Sequence, residues 1–203
     1  MGRLSDKTMR RLMWLLLALA LFFLGSAFYI PAKAMLAQEL LRQSWAQTVA
    51  SHGHINKPWP WADTWPVARL IVPGQDIDQI VLQGDMGNSL AFAPGESTQS
   101  SMGKDHSTIM ISGHRDTHFH FLKYTRPGEL VELQRSNGMI FHYRVTGSQI
   151  IDTSSGDISV PTTGNWLILV TCYPFDTIHT GGTLRYVVSA EAIPNHNDRT
   201  LPI

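Results

Sequence analysis

The stretch Trp166–Cys172, WLILVTC, decides how this 203-residue chain is read. Four aliphatic residues follow a tryptophan without a polar interruption. The run is too short for a typical helix and does not alternate, so it reads as a strand buried on both sides. It ends in Thr171 and Cys172, the only cysteine of the chain.

The segments around it read the same way. MIFHYRVTGSQII (139–151) alternates, with Phe141, Tyr143 and Val145 on one face and His142, Arg144 and Thr146 on the other. LRYVVSAEAI (184–193) is a further strand, on which Arg185 faces away from Tyr186 and Val188. VARLIV and IDQIVLQ flank the turn signal PGQD, and TIMISGH (108–114) and GELVELQ (128–134) complete the set. Between these last two, THFHFLKY (117–124) reads as a short helix. Seven or eight strands and little helical periodicity predict an all-β domain, a closed barrel or a sandwich.

Charge narrows the partners. Acidic and basic residues balance at 16 each, but residues 1–33 carry five basic and one acidic, and residues 34–203 carry 11 and 15. An acidic body argues against nucleic-acid binding, which needs a basic face. One cysteine excludes an intrachain disulfide and any multi-cysteine zinc site.

The N-terminus has a different solvent in view. Leu12–Ile30 is 19 residues without a charge, and at about 1.5 Å per residue it nearly crosses a hydrocarbon core of roughly 30 Å. Arg3, Lys7, Arg10 and Arg11 precede it, which predicts a cytoplasmic N-terminus and an exported body. The rival reading is a cleavable signal peptide, with AKA (32–34) as the small-x-small site; the apolar run exceeds the usual signal core, so a retained anchor is preferred. Ala37, Leu41, Trp45 and Val49 then form one apolar helical stripe, read as a juxtamembrane helix. NKPWPWADTWP (56–66) reads as a lead-in loop. The expected layout is a tail and membrane anchor at 1–33, helix and linker at 34–66, and the exported β domain at 67–203.

Three residues stand out chemically. Cys172 ends the apolar strand, His114 ends TIMISGH, and Arg185 lies near the start of the last strand. A free thiol is only a few per cent thiolate at neutral pH, and a neighbouring cation raises that fraction. Arginine is a permanent cation with a fork of donors, suited to a thiolate or an oxyanion. Histidine can hand a proton to a leaving amine. Met at one barrel rim, the three make an acyl-transfer set. The bland readings are a small core thiol, a turn histidine and an edge-strand charge. His114, His118 and His120, spaced H-x3-H-x-H, offer a zinc alternative, with His118 expected on the solvent side. His179 is a rival general acid on a glycine-flanked loop.

LVTC, an arginine early in the last strand and GH closing an earlier strand resemble the sortase family. Leu169, Thr171 and Cys172 match its TLxTC-like strand, with Ile168 where threonine is usual. IVLQGDMGNSLAFAPGE and SGHRDTHFHFLKYTRPGELVEL resemble the early strand pair and the catalytic-histidine strand, short helix and following strand of that family. TCYPFDTIHTGGTLRYVV is most similar to sortases of Gram-negative bacteria, class GN. The resemblance implies a closed eight-stranded barrel behind an inner-membrane anchor. It implies a cysteine transpeptidase that cleaves an LPxTG-like sorting signal through a thioacyl-enzyme and transfers the substrate protein to an amine acceptor. Cys172 would be the nucleophile, His114 the acid, Arg185 the oxyanion or substrate holder, and Thr171 a substrate contact. ADTWP does not match the lid motif of pilus-type members, so no plug over Cys172 is expected. No acidic cluster suggests calcium, and no cofactor or metal is expected. The competing functions are a cysteine hydrolase using the same site and a non-catalytic envelope binding module.

Overall fold

The computed structural model describes residues 6–87, 89–98, 100–102, 107–156, 158, 161, 163–177 and 181–194. The chain divides into two compact units between Glu39 and Leu40. Helix α1 runs Asp6–Ala50 and has Pro31 inside it. Its early part is long and apolar enough to cross a membrane and is exposed throughout. Its last turns belong to the second unit, where Leu41, Trp45 and the half-buried Val49 pack against Ile80, Leu82, Ala93 and Phe92. The four-residue spacing of the stripe is what lays these side chains on one face. The helix ends where His52 and Gly53 turn to positive φ (55° and 94°) and Gly53 N–H donates to the Thr48 carbonyl.

Among the described residues the second unit has nine strands: β1 Pro66–Val72, β2 Ile77–Gln83, β3 Gly95–Glu96, β4 Ser101–Met102, β5 Ser107–Ser112, β6 Leu130–Arg135, β7 Ile140–Asp152, β8 Asn165–Cys172 and β9 Leu184–Ala192. The order β3-β2-β1-β6-β7-β9-β8-β5 closes through β3 on β5, giving an eight-stranded barrel, with β4 as an extra pair on β5. The two-residue strands β3 and β4 carry no periodicity and were not expected from sequence. At the closure a side chain on Gly95 would run into the Gly84 carbonyl, so only glycine lets the strands meet. The expected helix at 117–124 is shorter, a 3-10 turn over His120–Tyr124.

Strand β8 is the central wall, flanked by β9 antiparallel and β5 parallel. Its continuous apolar run has a direct cause. Leu167 and Leu169 point into the barrel core with Ile109, Ile111, Phe119 and Val188, while Ile168 and Val170 point outward and form a second cluster with Met110 and Val187. Half-buried Ile151, Ile158 and Trp166 cover that outer cluster. At about 1.5–3 kcal/mol for each fully buried aliphatic side chain, both faces of β8 contribute to holding it in place. On β7, Tyr143 and Val145 enter the core, whereas Phe141 lies at the barrel rim and is 37% exposed.

The lead-in loop lies against β2. Thr64 Oγ1 donates to the Gln83 carbonyl (2.8 Å), Gln83 N–H donates to the Trp65 carbonyl (2.9 Å), and Trp59 stands edge-on to Phe92 (5.4 Å). Trp61 is 82% exposed, so not all three tryptophans are packed down.

Candidate active site

Cys172 is the last residue of β8, and Arg185 is its partner on β9. Tyr173 N–H donates to the Leu184 carbonyl at 3.0 Å, which makes 173/184 a hydrogen-bonded pair. Antiparallel pairs alternate, so 172/185 is of the non-hydrogen-bonded type, whose Cα atoms are about 4.5 Å apart and whose side chains lie closer together. Parity along the strands puts both on the outer face, beyond Val170 and Val187. Cys172 is half-buried and free. Arg185 donates from Nη1 to the carbonyls of Gly182 (2.7 Å) and Leu184 (3.0 Å). Both bonds use one nitrogen, so neither engages the Nε and Nη2 edge of the fork.

His114 follows β5. That strand pairs with β8 in parallel, Ser112 opposite Val170. Two bonds carry the register one residue further: Gly113 N–H donates to the Val170 carbonyl (3.1 Å), and Thr171 Oγ1 donates to the Gly113 carbonyl (2.7 Å). The next residue on β8 is Cys172 and the next after Gly113 is His114. The imidazole is exposed, and the His114 carbonyl accepts N–H bonds from Thr117 (3.4 Å) and Phe119 (2.9 Å), winding the following turn. Gly113 must be glycine here, because a Cβ would sit 2.8 Å from the Phe119 ring.

One expectation needs correction, and one residue is placed differently from the simplest picture. Thr171, for which the resemblance implies a substrate contact, is 2% exposed and donates its hydroxyl to the Gly113 carbonyl. It ties two strands together. His118 was expected to face solvent, but it is half-buried, its carbonyl accepting from Gln79 Nε2 (2.9 Å). Burial pushes its imidazole pKa below the ordinary histidine value, and the nearby His114 pushes it the same way. The zinc alternative finds no support in geometry: among the described residues no group of three His, Cys, Asp or Glu side chains could hold a metal ion. His120 instead packs edge-on to Tyr124 (5.8 Å). His179 lies outside the described residues.

Sequence reasoning missed the surroundings of the site. Arg115, 8% exposed, donates from Nη2 to the Thr177 carbonyl (3.0 Å). Lys123 Nζ bonds both carboxylate oxygens of Asp176 at 2.8 Å. Tyr173, Phe175 and Tyr186 form an aromatic cluster with centroids 5.2–6.3 Å apart. With Lys123, Pro174 and Asp176 they line a cavity of about 270 Å³. Strand parity puts Tyr186 on the face opposite Cys172. A cavity of about 330 Å³ beside Trp166, Gln149 and Ser189 shares the outer face. Trp166 is six residues from Cys172, about 20 Å at the strand rise, too far to hold a bond being cleaved at the thiol.

A half-buried thiol, a guanidinium directly across the ladder and an imidazole in neighbouring register suit nucleophilic acyl transfer. Comparisons with known proteins agree on the kind of protein. The family model of the sortase domain matches residues 70–193. The chain therefore belongs to the sortase family, a family of cysteine transpeptidases. Sortase D of Bacillus subtilis (strain 168) is 26% identical over 125 residues, 61% of this chain and 62% of that protein. The chain thus spans less than two thirds of that relative's length. Sortase A from Corynebacterium diphtheriae superposes with a TM-score of 0.56 at 18% identity, covering 84% of this chain and 89% of that one. A sortase D5 transpeptidase from Clostridium perfringens gives 0.55 at 16% identity, over 78% and 96%. Sortase C1 of Streptococcus agalactiae gives 0.56 at 19%, over 64% and 68%. At such identities the likeness speaks for the fold.

Proposed function

We propose that this chain is a membrane-anchored cysteine transpeptidase. It cleaves an LPxTG-like signal at a threonine–glycine bond and joins the substrate protein to an amine acceptor. The supporting observation is the pairing of Cys172 with Arg185 across the β8–β9 ladder, with the His114 backbone in register beside them. In this reading the Cys172 thiolate attacks the threonine carbonyl and a tetrahedral oxyanion forms. The Nε and Nη2 edge of the Arg185 guanidinium, which neither of its two carbonyl bonds uses, would donate to that oxygen. Protonated His114 gives its proton to the departing glycine amine, the carbon–nitrogen bond breaks, and a thioester remains on Cys172. An acceptor amine then attacks the thioester, loses a proton to His114, and expels the thiolate as the new amide forms.

The proposal extends to layout: 1–33 as cytoplasmic tail and inner-membrane anchor, 34–66 as juxtamembrane helix and lead-in, and 67–203 as the exported catalytic part. The apolar stretch within α1 and the basic residues ahead of it support this orientation. Class GN is the reading favoured by TCYPFDTIHTGGTLRYVV; the relatives above are sortases of types A, C and D and speak for the family.

The test is incubation with a fluorescent LPxTG-like peptide, with and without a glycine-based amine. Ligated product that appears only with the amine supports transfer. Cleavage at the same rate with no ligated product would make the protein a hydrolase. No cleavage at all would remove the enzymatic reading.

A further inference from the structure

Arg115 directly follows His114 and has no part in the chemistry above. It is a charged residue 8% exposed, and such residues are seldom buried unless they hold a partner. Its Nη2 donates to the Thr177 carbonyl at 3.0 Å, 62 residues away in sequence, and its Nε approaches Asp116 Oδ1 at 3.4 Å. Thr177 belongs to the connection that leads from Cys172 to Arg185. The neighbouring Asp176 is gripped by Lys123, so the segment after His114 holds the segment after Cys172 at two points. On the other side of His114, Gly113 is bonded to Val170 and Thr171, just before Cys172. The residues immediately before and after His114 are thus fastened to opposite flanks of Cys172.

We infer that Arg115 is a positioning residue: by bonding the Thr177 carbonyl it completes a two-sided clamp that holds the His114 backbone against Cys172. The inference rests on the transpeptidase reading. Proton transfer is unforgiving of distance, and a displacement of about 1 Å can lower a rate about 100-fold. Arginine suits the task because its planar fork reaches a carbonyl while staying charged and paired with Asp116.

Cys172 is the only thiol, so alkylation by iodoacetamide reports on it alone. Its pH–rate profile would be measured for the wild type, His114→Ala, Arg115→Gln and Arg115→Lys, alongside kcat and KM for peptide ligation. His118, Asp116, Asp176, Lys123 and Arg185 are unchanged throughout, so differences report on position. Arg115→Gln, too short to reach Thr177, should reproduce most of the profile change seen in His114→Ala. It should also lower kcat about 10- to 100-fold with KM within about twofold. Arg115→Lys, which keeps one long donor, should fall between Gln and wild type. An Arg115→Gln profile overlying the wild type, or a Lys variant no better than Gln, would overturn the inference. A loss in kcat matched by the loss of folded protein would overturn it as well. If His114→Ala itself leaves the profile unchanged, the pairing of His114 with Cys172 falls, and the role of Arg115 falls with it. Should Arg115→Gln fail to fold, Arg115→Lys alone must still show a kcat below wild type at unchanged KM.

Discussion

Cys172 and Arg185 face each other across β8 and β9 as a non-hydrogen-bonded pair, set by the Tyr173–Leu184 bond one residue further on. Such pairs carry the shortest side-chain approach a ladder offers. A thiol and a permanent cation are therefore neighbours by register rather than by loop conformation.

Arg185→Lys keeps the charge and loses the fork. An ammonium cannot hold backbone carbonyls and present a second donor edge at once. Removing an oxyanion donor typically lowers kcat about 100- to 1000-fold, and a loss in that range is expected in steady-state ligation assays. A near-normal kcat would remove Arg185 from the mechanism.

Thr171→Val keeps the shape and removes the hydroxyl that bonds Gly113. An orphaned buried acceptor costs about 1–3 kcal/mol, read as a lower midpoint in urea unfolding. The same change should slow acyl-enzyme formation, because the bond sets the register of His114 beside Cys172. Unchanged stability and rate would remove this bond as the reason for Thr171 and leave the substrate contact that the resemblance implies.

Gly113→Ala pushes a methyl group to 2.8 Å from the Phe119 ring. Overpacking of this kind costs about 1–3 kcal/mol. Pairing it with Phe119→Leu should recover part of the stability, since the smaller side chain clears the contact. A double variant destabilised by the full sum of the two single changes would contradict the clash, because additivity in the thermodynamic cycle leaves no coupling between the two positions.

His118 gives the domain a pH dependence. Burial lowers its folded pKa below the unfolded value near 6.5, so its neutral form is favoured by folding. The unfolded chain then binds the proton first as pH falls. Stability from this group is complete above the unfolded pKa and is lost as pH drops below it toward the folded pKa. Denaturation midpoints measured from pH 8 to pH 5 should fall for the wild type and fall less for His118→Gln. Parallel curves would contradict the assignment.

The sequence carried the long strands because each imposes a period or a burial demand: WLILVTC is apolar because both of its faces are covered, Leu169 packing inside with Ile111 and Val188 and Val170 outside with Met110 and Val187. It also pointed to Cys172, His114 and Arg185, whose residue types suit one chemistry. The two-residue strands β3 and β4 are too short to leave a pattern. The bond from Thr171 to Gly113 was not legible, because a threonine beside the cysteine looks the same in sequence whether its hydroxyl meets a substrate or a neighbouring carbonyl. Arg115 and His118 sit in GHRDTHF, where polar composition suggests an exposed turn; their burial follows from packing against residues distant in sequence, such as Thr177 and Gln79.

The central claim is covalent chemistry at one sulfur, and intact-protein mass spectrometry tests it most directly. Wild-type protein mixed with an LPxTG-like peptide and quenched in acid should gain the mass of the peptide fragment ending in threonine. Fragmentation should place it on Cys172, hydroxylamine should remove it, and Cys172→Ala should lack it. Peptide cleavage without such an adduct in the wild type, or continued cleavage by Cys172→Ala, would contradict the account.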